Sequence, residues 1–429
     1  MDSVNYNSPD FKRSRGAYVA QCTFEYFISL LVGDVFLAKL LSSIGISDAL
    51  TGIISSFINV AFIIQIMSIP LANSTLGSKK LVLIFDTISQ LLFCGIYFIP
   101  FLPFGKEVKT ILVMMAIIVA YTSNHLILSI CFKWANSYVE PTKRASFSAT
   151  KEMVSLISGI IFTTSIGFII DKFESIGNLN GGFLFIGITM LIINICNFVC
   201  LMMIKKEEKD TTSCSKVLLK DVLNATLRNK SFTNLIIMSV LWECTRYFSI
   251  GFMGIFKTKD LLLSVFVVQI INTVANILRI IVSKPFGRYS DRTSFAKGFE
   301  LAVTIAMMSF FVSIFITPST WYLIIIQTIL HHVSLAGTNM NSYNIVYSYV
   351  DQSYFTQAMS IKNCISGIFG FGASILGGRI LNFVQANGNS FLGIHLYGQQ
   401  LLSAISFVFA VILLIYMKLV IEKQKVKIQ

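Results

Sequence analysis

The chain has 429 residues, of which 55% are hydrophobic and only 13% are charged. The charged share is roughly half of the ~25% found in a soluble globular protein, which excludes a string of soluble domains. A helix that spans a bilayer needs about 20 apolar residues, so the chain has material for about twelve spans. The net charge of +13 indicates either binding to nucleic acid or a concentration of basic residues on one side of a membrane. Where the basic residues lie along the chain decides between the two.

Apolar runs of helix length recur along the whole chain, and most of the seven prolines stand at their ends. Helices tolerate proline at their ends, so the runs predict an all-α membrane protein with twelve transmembrane helices. The predicted spans are about 16–41, 48–72, 79–101, 108–132, 146–171, 180–204, 231–256, 261–283, 297–317, 321–346, 355–384 and 397–420. The first run lacks a cleavage site typical of a signal peptide, so we expect an uncleaved span.

Most of the basic residues fall in alternate loops, on the side that also holds the N-terminus. The positive-inside rule makes that side cytoplasmic and, with an even number of spans, places both termini there. The surplus charge is then topological, so no nucleic acid partner is needed. We expect a multi-pass protein of the cytoplasmic (plasma) membrane, embedded in the lipid bilayer. The eight cysteines include no CxxC pair, which favours core residues over disulfides or metal ligands.

The two halves of the sequence repeat each other. A shift of 211 residues superposes 137–140 on 348–351 and also places Lys151 on Lys362. A shift of 218 residues brings Glu25 onto Glu243. Matches in register across helices and loops predict a tandem duplication of six spans, with the copies inserted the same way up.

The duplication predicts two six-helix bundles, 1–204 and 231–429, related by a pseudo-two-fold axis along the membrane normal. The cytoplasmic linker, 205–230, has apolar residues at helical spacing between basic ones. This pattern fits a short amphipathic helix on the membrane surface and equally a solvated tether between the bundles.

The loop between the eighth and ninth spans reads Gly287, three residues, Asp291-Arg292, then Lys297. With this loop the sequence resembles the major facilitator superfamily of secondary transporters, whose corresponding loop has a glycine, three residues, Asp-Arg and further basic residues. The equivalent loop after the second span keeps Gly77 and Lys80 but lacks Asp-Arg. Arg144, in the segment 141–145, resembles the second loop motif of that family.

The resemblance implies twelve helices, alternating access and a gating role for these loop residues. Asp291, placed at a helix N-terminus, would be favoured there by the helix dipole. The other interpretation is an anchor of charges that only fixes topology. The presence of an acid in a basic loop favours gating.

Ionisable residues deep inside a span are costly and are functional candidates by default. Four spans carry such residues together with polar neighbours on one helical face. In the resembled family these four spans (one, four, seven and ten) line the central cavity. The candidate substrate or proton-binding residues are Gln21 and Glu25; Tyr121 and His125; Glu243 and Arg246; and His331, Thr338 and Asn341.

Each candidate also has a structural interpretation. Glu243 and Arg246 are three residues apart, so they either bind a ligand or neutralise each other. Glu25 has no basic neighbour in its own helix. This favours a role as a proton carrier over a role as a structural carboxylic acid. The histidines either cycle a proton or only donate hydrogen bonds. Asp86, in span three, lies off the four spans and ranks below them.

The sequence has no phosphate-binding loop, metal-ligand spacing or catalytic constellation. We therefore expect no enzyme activity, cofactor or metal, and a monomer. The favoured function is a secondary active transporter for a small-molecule substrate, coupled to H⁺ or Na⁺. One alternative is a drug or amphiphile exporter of the same superfamily, although span five lacks the glycine–proline motif of drug:proton antiporters. Another is a membrane receptor or scaffold that does not transport.

Overall fold

The computed structural model describes residues 6, 8–68, 71, 78–140, 144–205, 229–347, 355–391 and 393–424. These residues are helical apart from turns, connections and one antiparallel hairpin of two-residue strands, β1 (Ser390–Phe391) and β2 (Ile394–His395). The all-α class predicted from the apolar runs is confirmed for this part of the chain.

The helices of the described residues follow the apolar runs. The first half contains α1 (Pro9–Leu31), α2 (Asp34–Ile44), α3 (Asp48–Ser55), α4 (Ile58–Ile64), α5 (Ser78–Gly95), α6 (Lys106–Asn136), α7 (Arg144–Ser175) and α8 (Leu179–Met203). The second half contains α9 (Lys230–Tyr247), α10 (Ile250–Ile255), α11 (Val265–Arg292), α12 (Phe295–Ser313), α13 (Leu323–Tyr347), α14 (Phe355–Ala386) and α15 (Gly398–Tyr416). Short 3₁₀ or π turns extend α4, α5, α10 and α15 at Gln65–Met67, Ile96–Phe101, Phe256–Asp260 and Met417–Ile421.

Nine helices of the described residues are long and apolar enough to cross a membrane, and the bent pair α1–α2 makes a tenth if it forms one span. The predicted run 48–72 corresponds to α3 and α4, which together are apolar but short, Asp48–Ile64. Helix α13 has the length of a span, but its polar residues keep it outside these nine. The protein is therefore a multi-pass membrane protein by length and composition, while twelve spans and the pseudo-two-fold axis stay predictions.

The first span is not the single continuous helix that the run 16–41 predicts. It breaks after Leu31, and α1 and α2 are bent by 45°. Gly33, the N-cap of α2, is extended at φ −134° and ψ 175°, and Asp34 follows at φ +42°. A non-glycine residue in the left-handed region interrupts the regular helix, which is the physical reason for the bend.

The described residues form two compact units. The first contains residues up to 46 and from 67 to 213, and the second contains 47–66 together with the chain from 214 onward. Helices α3 and α4 therefore pack in the second unit although they belong to the first half of the sequence. The linker 206–228 lies outside the described residues, and the predicted division at 205–230 stays a prediction.

Each unit has its own packed core. In the first unit, Tyr18, Leu81, Trp134 and Leu201 join α1, α5, α6 and α8 in one buried cluster. In the second unit, α9, α12 and α15 meet in a cluster with Phe232, Trp242, Phe299, Phe310 and Leu413. Because lipid is as apolar as these side chains, close packing holds such helices together.

Glycine gives the closest helix approach in the second unit. A Cβ on Gly251 of α10 would lie 2.7 Å from the carbonyl oxygen of Gly52 in α3. A Cβ on Gly52 would in turn lie 2.0 Å from the ring of Phe252. The two helix backbones therefore pack almost directly against each other, as small residues allow in membrane helices.

Candidate functional site

Glu25 of α1 is held by two side-chain amides in the first unit. Gln21, one turn earlier, donates from Nε2 to Glu25 Oε2 at 3.0 Å. Asn124 of α6 donates from Nδ2 to the other carboxyl oxygen, Oε1. Lys151 of α7 is near enough to act electrostatically on Glu25. The hydrogen-bond donors to this acid among the described residues are thus neutral amides.

This arrangement suits a carboxyl group that changes its protonation state. An ionised carboxyl only accepts hydrogen bonds, whereas a protonated one also donates. An amide offers both an NH₂ donor and a carbonyl acceptor, so rotation of Gln21 or Asn124 serves either form of Glu25. A fixed cation would favour the ionised form alone.

The predicted pair on α6, Tyr121 and His125, faces a different neighbour from Asn124. Tyr121 packs edge-to-face on Phe93 of α5, with the ring centroids 4.9 Å apart. His125 is buried, and its Nδ1 lies 2.9 Å from the carbonyl oxygen of Tyr121. Among the described residues, Glu25 is contacted through Asn124, one position before His125 and about 100° around the helix.

A second buried acid lies in the first unit, near enough to Glu25 to interact with it electrostatically. Asp86 of α5 is 2% exposed and accepts a hydrogen bond from Nδ2 of Asn197 in α8 at 2.6 Å. The amide oxygen of Asn197 has no hydrogen-bond partner. The sequence ranked Asp86 low because its span is off the four candidate spans. Asp86 is polar and is buried between helices. A polar residue inside a span can therefore pack between helices and need not line a cavity.

In the second unit, Glu243 and Arg246 form a loose ion pair on α9. Arg246 Nη1 lies 3.4 Å from Glu243 Oε2, longer than the 2.7–2.9 Å of a strong charge-assisted hydrogen bond. The guanidinium carbon lies 5.7 Å from the ring of Trp242 and 5.3 Å from the ring of Tyr247. Arg246 Nε is buried, and no described residue is its hydrogen-bond partner.

Two residues that the sequence did not single out lie near this pair. Asn59 of α4 is fully buried, and its side-chain amide lies within interaction distance of Tyr247 of α9. A Cβ on Gly370 of α14 would touch both Glu243 and Asn59, which places Asn59 beside the acid. Lys362 of α14 is 4% exposed, and Glu243 acts on it electrostatically. Lys362 is therefore a buried charge and not a surface one.

The histidines of α13 differ in their partners. His332 Nδ1 lies 2.9 Å from Oδ1 of Asn276 in α11. His331 Nδ1 is buried and has no hydrogen-bond partner among the residues that the structure describes. Arg246 is close enough to act electrostatically on the His331 ring, as are Lys257 and Arg279. The structure therefore brings His331 into the electrostatic surroundings of Arg246.

Thr338 and Asn341, further along α13, are fully buried. Asn341 donates to the carbonyl oxygen of Gly337 at 2.9 Å. A Cβ on Gly298 of α12 would clash with both Asn341 and Ser290, so Asn341 lies where α11, α12 and α13 pack together. The structure places it with these helices and not with Arg246. The sequence spacing predicts that Asn341 and His331 share one face of the helix. That spacing does not determine which neighbouring helix Asn341 contacts.

The gating motif falls at a sharp junction between α11 and α12. Asp291 and Arg292 are the last residues of α11, and both are exposed. Ser294 Oγ caps α12 by accepting from the backbone N–H of Lys297 at 3.2 Å. Asp291 therefore lies at a helix C-terminus, and the predicted N-terminal position is wrong. The dipole at a C-terminus disfavours a negative charge, so it does not explain this acid.

Other parts of the motif are only partly described. Gly287 lies within α11, where a Cβ would be 3.8 Å from Met340 Sδ. Lys80 is exposed near the start of α5. Gly77 lies outside the described residues, as does the side chain of Arg144. Within the part of the chain that the structure describes, no group of three His, Cys, Asp or Glu residues could hold a metal ion.

Comparison of the sequence with models of known families and with curated proteins found no match. Comparison of the structure with solved structures found many. The nucleoside transporter NupG is 13% identical, with a TM-score of 0.69 over 97% of this chain and 100% of that chain. An auto-inhibited POT family peptide transporter is 10% identical, with a TM-score of 0.69 over 98% of this chain and 99% of that one.

A D-xylose–proton symporter is 12% identical, with a TM-score of 0.63 over 92% of this chain and 95% of that chain. These proteins are transporters of the major facilitator type. The resemblance predicted from the loop motifs is therefore confirmed at the level of the fold, because the likeness extends over nearly the whole of each chain.

Proposed function

We propose that this chain is a secondary transporter that moves a small solute across the plasma membrane by alternating access, and that Glu25 couples transport to protons. The fold supports the general class, since transporters of nucleosides, peptides and xylose have similar structures. The observation that carries the proposal is the Glu25 carboxyl, held between the amides of Gln21 and Asn124.

Proton coupling requires a group that is stable in both its charged and its neutral form during the cycle. Glu25 meets this requirement because its amide partners accommodate either form, as argued above. Glu243 differs, because Arg246 stands beside it and favours the ionised carboxylate. We therefore assign proton binding to Glu25 and not to its repeat-mate.

The test is uptake of a labelled solute into proteoliposomes under an imposed pH gradient, with Glu25→Gln compared with wild type. The variant keeps the shape and the hydrogen bonds but carries no proton. We expect uptake driven by the pH gradient to fall to the level without a gradient, while exchange of labelled for unlabelled solute continues. Glu152→Gln is the control, because it removes an exposed carboxyl of α7 in the same unit.

Four outcomes would contradict the proposal in different ways. Gradient-driven uptake by Glu25→Gln equal to that of wild type would remove Glu25 from coupling. Uptake driven by sodium and indifferent to the pH gradient would replace the proton as the coupling ion. A solute that binds the purified protein and is never exchanged would indicate the receptor function instead. Preferred uptake of cationic amphiphiles over polar solutes would indicate an exporter.

A further inference from the structure

Arg246 in the second unit has a hydrogen-bond donor without an acceptor. Its Nε is buried and has no partner among the described residues, and the carboxylate contact recorded for its side chain there is the 3.4 Å approach of Nη1 to Glu243. A guanidinium has five N–H donors in a planar fork. Among the described residues, Glu243 uses one of them weakly and Nε has no acceptor, so this guanidinium has unused donor capacity.

The guanidinium is also held in position before any ligand arrives. The rings of Trp242 and Tyr247 lie 5.7 Å and 5.3 Å from its central carbon. Such cation–π contacts orient a guanidinium without using its N–H groups. The Arg246 side chain keeps 25% of its surface exposed. An oriented donor fork that is partly open to solvent is suited to binding a planar or tetrahedral anion.

Several basic side chains lie in these surroundings. Lys362 is buried and interacts electrostatically with Glu243. Arg246, Lys257 and Arg279 all act on the ring of His331, whose Nδ1 has no hydrogen-bond partner in the described part of the chain. Cations that face one another in a region of low dielectric repel, and an added anion relieves this repulsion. Both the open donors and the charge therefore favour a negatively charged ligand.

We propose that the second unit binds the carboxylate or phosphate group of the transported solute, with Arg246 as the principal ligand. Nε and a terminal nitrogen of Arg246 form the fork that receives two oxygens of the anion. Glu243 holds the guanidinium from the opposite side, and His331 is placed to donate a further hydrogen bond. This inference rests on the proposed transport function and names the chemical class of its substrate.

The test uses pairs of solutes that differ by one anionic group: glutamate and glutamine, uridine monophosphate and uridine, glucose 6-phosphate and glucose. Binding to the purified full-length protein is measured by thermal stabilisation and by titration calorimetry. We expect an anionic member of at least one pair to bind at least about 10-fold more tightly than its neutral partner. R246K should weaken that binding about 10-fold, because an ammonium cannot form the fork.

Two further variants separate binding from folding. E243Q combined with R246Q removes both charges, so no unpaired buried carboxylate is left, and this protein should fold yet bind the anion about 100-fold more weakly. R379Q is the matched control, because Arg379 is an exposed arginine of α14 in the same unit. It should bind the anion as wild type does.

The anion inference is overturned if neutral members bind as tightly as anionic ones, if no anionic member binds, or if the double variant binds the anion like wild type. Failure of the transport function looks different. A solute that binds through Arg246 but is not exchanged in proteoliposomes removes transport and keeps the anion site. Uptake of a neutral solute by R246K at the wild-type rate removes the anion site and keeps transport.

Discussion

Replacing Asp48 with asparagine should loosen the helix pair α3–α4 from the rest of the second unit. Asp48, in the first turn of α3, is 5% exposed and accepts from Lys259 Nζ at 2.9 Å on both carboxyl oxygens. Gln385 of α14 donates to Oδ2 of the same carboxyl at 2.7 Å. The buried carboxylate of Asp48 thus links α3 to the turn that extends α10 and to α14.

The structure sets the size of the effect. Lys259 is 55% exposed, so water replaces most of its lost ion pair, and that contact contributes only about 0.2–1 kcal/mol. The Gln385 bond loses its charge assistance, about 1 kcal/mol, and α3 loses a favourable N-terminal charge worth about 0.3–1 kcal/mol. We expect a total near 2 kcal/mol, which corresponds to about 30-fold in the opening equilibrium.

Hydrogen exchange measures this change directly, because amides of a loosened segment exchange through local opening. Peptides covering 47–66 in Asp48→Asn should exchange about 30-fold faster than in wild type, while peptides of the first unit are unaffected. Glu174→Gln is the control, because it removes an acid that pairs with Lys39 in the first unit. Unchanged exchange across 47–66 in Asp48→Asn would refute the reasoning that this carboxyl holds the helix pair.

Two further variants test the packing of each unit. Gly251→Ala should lower stability by about 1–3 kcal/mol in thermal unfolding, because its Cβ would meet the carbonyl oxygen of Gly52 at 2.7 Å. Gly372→Ala, with open space around its Cβ, should be neutral or stabilising by up to about 1 kcal/mol, and equal losses in both variants would contradict this explanation. Asn197→Ala should cost about 1–3 kcal/mol by removing one of the two amide donors, Asn197 and Gln90, to the buried Asp86 carboxyl. Wild-type stability of Asn197→Ala would show that Asp86 does not depend on that hydrogen bond.

The sequence could predict which helices carry functional candidates but not always which side chains meet. Glu25 and Gln21 were selected from their spacing of four, and the structure joins them by a hydrogen bond. On α6 the same rule selected His125, while Asn124 contacts Glu25. Helical spacing identifies a face, and a rotation of about 100° per residue separates neighbouring positions. Which face meets α1 depends on tertiary packing, which spacing does not contain.

Buried charge was also hard to locate from the sequence. Lys362 lies near the start of a predicted span, where the positive-inside rule assigns lysine to the cytoplasmic surface. Its burial beside α9 depends on how α14 packs, and the repeat match with Lys151 was the signal that could have indicated a role in the interior. The bend at Gly33 and Asp34 could also have been predicted from the sequence. A glycine before a polar residue inside an apolar run favours a bend.

The membership of α3 and α4 in the second unit has a consequence for dividing the polypeptide. A cut anywhere within 205–230 would leave this helix pair on the first fragment, while its packing partners, α10 and α14, would be on the second. If two such fragments are produced together, the first would have to supply α3 and α4 to the second. Gly52 of one fragment would then pack against Gly251 of the other. A second fragment made alone would expose the vacated groove to lipid or to another copy. Complementation between fragments should therefore depend on the sequence of 47–66 more than on that of the linker.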